Sequence, residues 1–296
     1  MYPNQRNRRL RQSPAIRQLV SESQLTVNDM MLPLFVKEGT QVKEPISAMP
    51  GCYRLSLDLL QEELKSVSDT GIKAVLLFVM VDDVLKDNKG TEALNPEGLM
   101  QRAVRTVKTR TPEMLVMTDV ALDPYSSYGH DGIVEKGKIL NDPTVEVLAQ
   151  IALSHAQAGA DFVAPSDMMD GRIQKIRTVL ESAGLTDTGI MSYSAKYASA
   201  FYGPFREAID SAPGFGDKKT YQMDPANRLE ALTETQRDLE EGADIVMVKP
   251  GLAYLDIIRE IRDNVEVPIA AYQVSGEYAM LKAAAEKGWL NHDAVM

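Results

Sequence analysis

Two lysines stand at the ends of apolar runs: Lys196 closes Met191-Ser192-Tyr193-Ser194-Ala195, and Lys249 closes Ile245-Val246-Met247-Val248. A lysine at the tip of a strand buried on both faces is desolvated, which lowers its pKa and frees the amine as a nucleophile toward carbonyls. The plainer reading of either residue is a stem that snorkels from the rim to water. On neighbouring strands the two ammonium groups would share one cavity, each depressing the other. One such lysine suggests Schiff-base chemistry, and two suggest that two carbonyl substrates are held at once.

Other polar residues close apolar runs: Asp119, Ser166, Tyr272 and Ser275. Asp119 interrupts an apolar strand, and Asp123 and Asp131 follow it on one loop. Three carboxylates there could hold a hard cation such as Mg²⁺, neutralise the lysines or carry protons. For Asp123 and Asp131 the alternative is a solvated loop with turn-forming aspartates. His130 reads as a loop histidine. Arg206, Lys218, Lys219 and Gln222 come from the long segment after Lys196. Cationic side chains on a loop over a cavity suit a carboxylate-bearing substrate, although each alone is also what solvated surface looks like.

The elements that must position these residues are short apolar runs alternating with segments of helical period. Seven strands are predicted: Met30–Val36, Ala74–Val81, Leu115–Leu122, Asp161–Pro165, Gly189–Ala195, Asp244–Val248 and Pro268–Val274. Pro33 weakens the first. Asn95-Pro96, Asp142-Pro143 and Asp224-Pro225 predict helix starts. Leu57, Leu60, Leu64 and Val67 form one stripe that should face a sheet, and Leu229, Leu232 and Leu239 form another. Gly71, Gly159 and Gly242 predict helix ends that lead straight into strands. Seven or more βα units without a Gly-rich dinucleotide fingerprint favour a (β/α)₈ TIM barrel over an open doubly wound sheet. Long insertions at Ala121–Asn141 and Gly203–Asp224 follow strand ends, where barrel active sites and their lids are built.

The expected organisation is an Arg-rich arm over residues 1–29 and a barrel over residues 30–296. No eighth strand is legible before Met296. Glu277–Lys287 reads as the helix of another βα unit, and Trp289-Leu290 would leave apolar surface uncovered. The expectation is a natural chain roughly 30 residues longer, enough for one helix and one strand.

Composition narrows the classes. A formal charge of −10 supplies no field to attract phosphates, which argues against nucleic-acid binding. Cys52 is the single cysteine, so no disulfide framework exists, and a zinc site of Cys/His type is nearly excluded. The longest apolar run, Ala74–Val81, is too short to cross a membrane, and no apolar signal segment follows the N-terminal arginines. A cytoplasmic address is expected.

Ser194-Ala195-Lys196-Tyr197-Ala198-Ser199, Met247-Val248-Lys249-Pro250-Gly251 and the Asp119–Gly132 loop resemble the porphobilinogen synthase (5-aminolaevulinate dehydratase) family. The resemblance runs from Arg9-Leu10-Arg11 to the chain end. It implies condensation of two 5-aminolaevulinate molecules into porphobilinogen, releasing two waters, in tetrapyrrole synthesis. By the same resemblance, Lys249 holds the substrate that becomes the propionate side. Ser275 binds its carboxylate, Tyr272 flanks it, and Phe205 belongs to the substrate-binding set. Lys196 holds the second substrate, gripped by Arg206, Lys218 and Gln222, with Asp119 and Ser166 between the two.

Zinc-dependent relatives carry three cysteines where this chain has Ala121, Asp123 and Asp131, so zinc is not expected, and no organic cofactor is implied. Lys218 replaces an arginine of some relatives, exchanging a bidentate clamp for a point charge. Glu234 matches the glutamate that binds allosteric Mg²⁺ in magnesium-responsive relatives, though alone it reads as an ordinary solvent-facing residue. The resemblance further implies octamers held by the N-terminal arms, and an eighth-strand tyrosine that binds the first carboxylate, which this chain does not include. Two rival readings remain at this point: a Schiff-base aldolase with Lys249 catalytic and Lys196 electrostatic, and an inactive barrel acting as an assembly partner.

Overall fold

The computed structural model describes residues 1–295. Seven parallel strands form its centre: β1 (Met31–Lys37), β2 (Ala74–Met80), β3 (Leu115–Val120), β4 (Phe162–Pro165), β5 (Gly189–Lys196), β6 (Ile245–Lys249) and β7 (Ile269–Ala271). They neighbour one another in sequence order, and Tyr53–Leu55 adds to the outer edge of β1. All seven strands predicted from the sequence are present. The last is shorter than expected, ending at Ala271 rather than Val274. Pro33 is tolerated because β1 pairs along its full length only with β2, while Tyr53–Leu55 reaches no further than Phe35 and Val36.

Each strand leads into a helix: α1 (Leu57–Asp69), α2 (Leu99–Arg110), α3 (Asn141–Gln157), α4 (Arg172–Ser182), α5 (Arg228–Glu240), α6 (Leu255–Asn264) and α7 (Ser275–Glu286). Right-handed crossovers between sequential parallel strands put all these helices on one face. Strand residues therefore alternate between two cores. Val75, Val116, Val163 and Val246 pack against the helices, while Leu76, Met117, Ala164 and Met247 fill the concave side. Gly71, Gly159 and Gly242 adopt positive φ at the helix exits, as expected. The segment before β1 holds helical turns at Asn7–Arg11, Pro14–Leu19 and Val27–Asp29, none with a buried residue. Among the described residues no helix is long and apolar enough to cross a membrane.

Three local expectations need correction. Asn95 and Asp224 do not start helices: their carboxyamide and carboxylate oxygens accept from the backbone N–H of Glu97 and Ala226 at 2.9 and 2.8 Å. These are turns that stop short of helices beginning at Leu99 and Arg228. The loop after β3 contains a hairpin, Ile133–Glu135 with Lys138–Leu140, whose turn residues Lys136 and Gly137 both have positive φ.

The third correction concerns α5. Leu229 is 68% exposed, and the helix instead buries Ala231, Thr235 and Asp238. The polar anchor decides which face turns inward. Arg172 Nη1 and Nη2 donate to the two oxygens of Asp238 at 3.2 and 3.3 Å, and Nη2 also reaches Ser192 Oγ and the Tyr193 carbonyl. Ser192 Oγ donates to Asp238 at 2.5 Å. A buried charge left unpaired costs more than a leucine gains by burial, so the helix rotates to satisfy the arginine.

Truncation measures which stripe is core. Leu64→Ala on α1 should lower unfolding free energy by about 3 kcal/mol, and Leu229→Ala by no more than about 0.5 kcal/mol. Urea unfolding of the two variants checks this, and equal losses would contradict the α5 orientation.

Candidate active site

Four strands place polar side chains in one layer at their carboxyl ends, directly above the apolar concave core: Asp119 on β3, Ser166 just past β4, Lys196 on β5 and Lys249 on β6. Lys196 and Lys249 are register partners across the β5–β6 pair. Getting both onto the concave side needs an irregularity. Val246 pairs with Ser192 and Val248 with Ala195, so three residues of β5 span two of β6. This is a β-bulge around Ser194. In a regular strand residues three apart face opposite ways. Here Tyr193 and Lys196 share the concave side, with Lys196 Nζ 5.7 Å from the Tyr193 ring centroid, while Ala195 packs among the helices.

Lys249 is enclosed by rings. Its Nζ lies 4.5 Å from the Tyr272 centroid, 4.9 Å from Tyr193, 5.0 Å from Phe205 and 5.4 Å from Tyr202. Burial first, and then the neighbouring Lys196, bring its pKa down to about 7, against the opposing pull of Asp119. Lys196 donates to the Ser166 carbonyl. Asp119 is raised to about 7, by burial first and then by the Asp123 carboxylate, and its Oδ1 has no hydrogen-bond partner among the described residues. An acid and an amine poised near the same pH can exchange a proton at little cost.

The loop aspartates are not solvated. Asp123 and Asp131 are buried, and Lys218 Nζ sits between them at 2.9 and 3.1 Å. Burial pulls Lys218 down, but the two carboxylates outweigh it and hold the amine above the ordinary lysine range. The place between the carboxylates is thus taken by an ammonium group. Lys219 is exposed beside Asp217, as plain surface would be.

The segment from Gly203 to Asp224 forms a short helix, Gly203–Ile209, and then a lid. His130, read from sequence as a loop residue, is buried and ties the lid down: its Nδ1 pairs with the Tyr221 hydroxyl at 3.0 Å and its Nε2 with the Phe215 carbonyl at 2.9 Å. Gly129 has positive φ, and a Cβ there would meet the Ala212 carbonyl at 2.1 Å, so only glycine lets the lid backbone approach. The lid's far end is stitched to β5, Met223 N–H donating to the Lys196 carbonyl and Ala198 N–H to Met223.

Gln222 is buried with an unpartnered Oε1, and Arg206 is half-buried with no ion pair among the described residues. Ser275 Oγ accepts from Phe205 N–H at 2.9 Å and donates to the Phe201 carbonyl at 3.3 Å. Glu234 is not brought to the lysines. It lies on α5, paired with Arg237 at 2.8 Å, along a cleft of about 970 Å³ that lid residues from Phe215 to Asp224 also line and that neither Lys196 nor Lys249 reaches. Sequence reasoning missed Tyr193, Tyr202 and Tyr221. Tyr193 stands three residues before Lys196, the wrong parity for a regular strand.

Labelling should reveal the Lys249 shift. Acylation of Lys249, followed by peptide mass spectrometry, should be half-maximal near pH 7, whereas an exposed lysine titrates near ~10.4. A midpoint above about 9 would contradict the burial argument. The sign for folding follows: the unfolded chain binds more protons between these values. Burying this amine therefore weighs fully against folding below pH 7, and the penalty fades as pH rises toward the ordinary lysine value.

Residues 4–296 match the family model for delta-aminolevulinic acid dehydratase. The chain is 51% identical over 291 residues to the delta-aminolevulinic acid dehydratase of Halalkalibacterium halodurans, covering 98% of this chain and 88% of that one. It is 55% identical over 295 residues to the chloroplastic enzyme of Glycine max, covering 99% and 71%. Among solved structures, the dehydratase of Toxoplasma gondii in complex with the reaction product porphobilinogen superposes with a TM-score of 0.97 at 52% identity, covering 98% and 84%. The family resemblance carried by the two lysine motifs is borne out: this chain belongs to the delta-aminolevulinic acid dehydratase family.

Proposed function

We propose that this chain condenses two molecules of 5-aminolaevulinate into porphobilinogen with loss of two waters, a step of tetrapyrrole synthesis, through Schiff bases on Lys249 and Lys196. The observation that carries this reading is the pair of buried lysines in register on β5 and β6. Each Schiff base forms when the Nζ lone pair attacks the ketone carbon and the ketone oxygen leaves as water, taking one proton from Nζ and one from an acid such as Asp119, while the nitrogen keeps its other proton as an iminium. A lysine held near neutrality supplies the free amine that attack needs.

Lys249 holds the propionate-side substrate, with Ser275 on its carboxylate and Tyr272 and Phe205 against its chain. Lys196 holds the acetate-side substrate, whose carboxylate is gripped by Arg206, Lys218 and Gln222. Support for this grip comes from Arg206, which is half-buried and has no ion pair among the described residues. Asp119 and Ser166 lie between the two substrates, where Asp119 moves protons. The sequential order of the seven βα units supports a (β/α)₈ barrel, and residues 1–29 serve as an arm that grips neighbouring subunits of an octamer.

The chain is of the zinc-independent, magnesium-responsive type. Asp123 and Asp131 offer only oxygen, which Zn²⁺ does not prefer, and the Lys218 ammonium already sits between them. Glu234 fits a hydrated Mg²⁺, which takes one or two carboxylates and keeps its waters. It is a half-buried carboxylate raised by burial against the pull of Arg237. When bound, Mg²⁺ would add charge that steadies α5 and the subunit contact.

Turnover to a dye-reactive pyrrole tests the reaction itself. Lys249→Ala and Lys196→Ala should each lose more than about a thousandfold in kcat, and borohydride should trap substrate on both lysines of the unaltered protein. A variant retaining above a tenth of the rate, a change of only ~1.4 kcal/mol, would remove that lysine from an obligatory role.

Metal dependence gives a separate check. Zinc chelators should leave activity intact, and tightly bound stoichiometric zinc would count against this type. Mg²⁺ should raise both activity and the octamer fraction in sedimentation, and Glu234→Ala should blunt both effects. An unchanged Mg²⁺ response in that variant would dismiss Glu234.

A further inference from the structure

Tyr193 is fully buried on β5 and presents its ring to both lysines, with Lys249 Nζ 4.9 Å and Lys196 Nζ 5.7 Å from its centroid. Among the described residues, Lys249 has three other rings within cation–π range, whereas Lys196 has Tyr193 alone. The bulge around Ser194 is what creates this sharing, since a regular strand would send Lys196 to the helix side. Neither lysine forms an ion pair among the described residues. The charged groups that act on Lys249 are Asp119 on β3, Asp123 and Asp131 on the following loop, and Lys196 beside it.

A Schiff base on either lysine is electrophilic only while its nitrogen keeps a proton and a positive charge. That charge forms in a buried layer without a contacting carboxylate among the described residues, and an unpaired charge there is expensive. The electron-rich face of an aromatic ring is a counter-charge that tolerates burial. The Tyr193 hydroxyl has no hydrogen-bond partner among the described residues, although buried hydroxyls ordinarily find one. The face of the ring, rather than its oxygen, is the part directed at the reacting nitrogens.

We propose that the ring face of Tyr193 is a catalytic element common to both Schiff bases, stabilising the iminium at Lys249 and the iminium at Lys196. This rests on the reading that both lysines form Schiff bases. The step it assists is balanced without any oxidant: C=N replaces C=O, Nζ gives up one proton and keeps one, and the oxygen leaves as water with that proton and a second from the protonated Asp119 carboxyl.

The test uses the full chain with levulinate, a keto acid lacking the substrate amine, and borohydride, reading the trapping rate at each lysine by peptide mass spectrometry. Position 193 carries tyrosine, phenylalanine, 3,5-difluorophenylalanine or 3,4,5-trifluorophenylalanine, with Tyr193→Leu as the ringless case. The fluorinated rings are close to isosteric, so packing is preserved while the face loses electron density. Tyr193→Phe should stay within about threefold of the unaltered protein, and trapping at both lysines should fall stepwise by about tenfold across the fluorinated series. A flat series would overturn the proposal, as would a Tyr193→Phe variant as slow as Tyr193→Leu, since the hydroxyl would then be the working group. Unaltered protein that traps at neither lysine, or at Lys249 alone, would instead overturn the two-Schiff-base reading, and with it the shared role of Tyr193.

Discussion

Keeping two amines side by side in a buried layer is the constraint on which the rest of this structure depends. Lys196 and Lys249 are register partners, and each alone would resist burial as an ammonium ion. Burial and the neighbouring Lys196 charge make the neutral amine tenable at Lys249, against the pull of Asp119. The strands beneath serve that layer. Their concave residues are apolar up to the level of Met117, Ala164 and Met247, and polar in the next inward position.

Charge is separated within the site. Asp119 stands with the lysines and is pushed toward its neutral form, whereas Asp123 and Asp131 are compensated by Lys218 from the lid. The lid thereby sets a positive charge against two carboxylates that would otherwise be buried without a counter-ion. The same ammonium is the group proposed to meet the substrate carboxylate, so lid closure and anion binding draw on one charge. Behind β5, the Arg172–Asp238–Ser192 network fixes the other face of the strand that bears Lys196.

Much of this was legible in the sequence because burial pattern and residue type agree along most strands. All seven strands, the glycine exits and the polar strand ends followed from period and from the position of each charge. Glu234 could be matched by resemblance, but its half-buried setting could not be read from its own segment. Where the reading failed, a tertiary partner outvoted a local pattern. Leu229 lost its place in the core because Asp238 had to meet Arg172, and Asn95 and Asp224 spent their side chains on turns. Tyr193 was invisible because the bulge around Ser194 breaks the alternation by which inward residues are counted. His130 looked like a loop residue because its partners, Phe215 and Tyr221, lie far along the chain.

The stitching of the lid to β5 has a mechanical consequence. Met223 is hydrogen-bonded to the backbone of Lys196 and to Ala198, and earlier in the segment the Phe215 carbonyl is held by His130, so the stretch that carries Lys218 and Gln222 is a strap fixed at both ends. A strap held at two points bows rather than swings, and one anchor must part before Lys218 can leave Asp123 and Asp131.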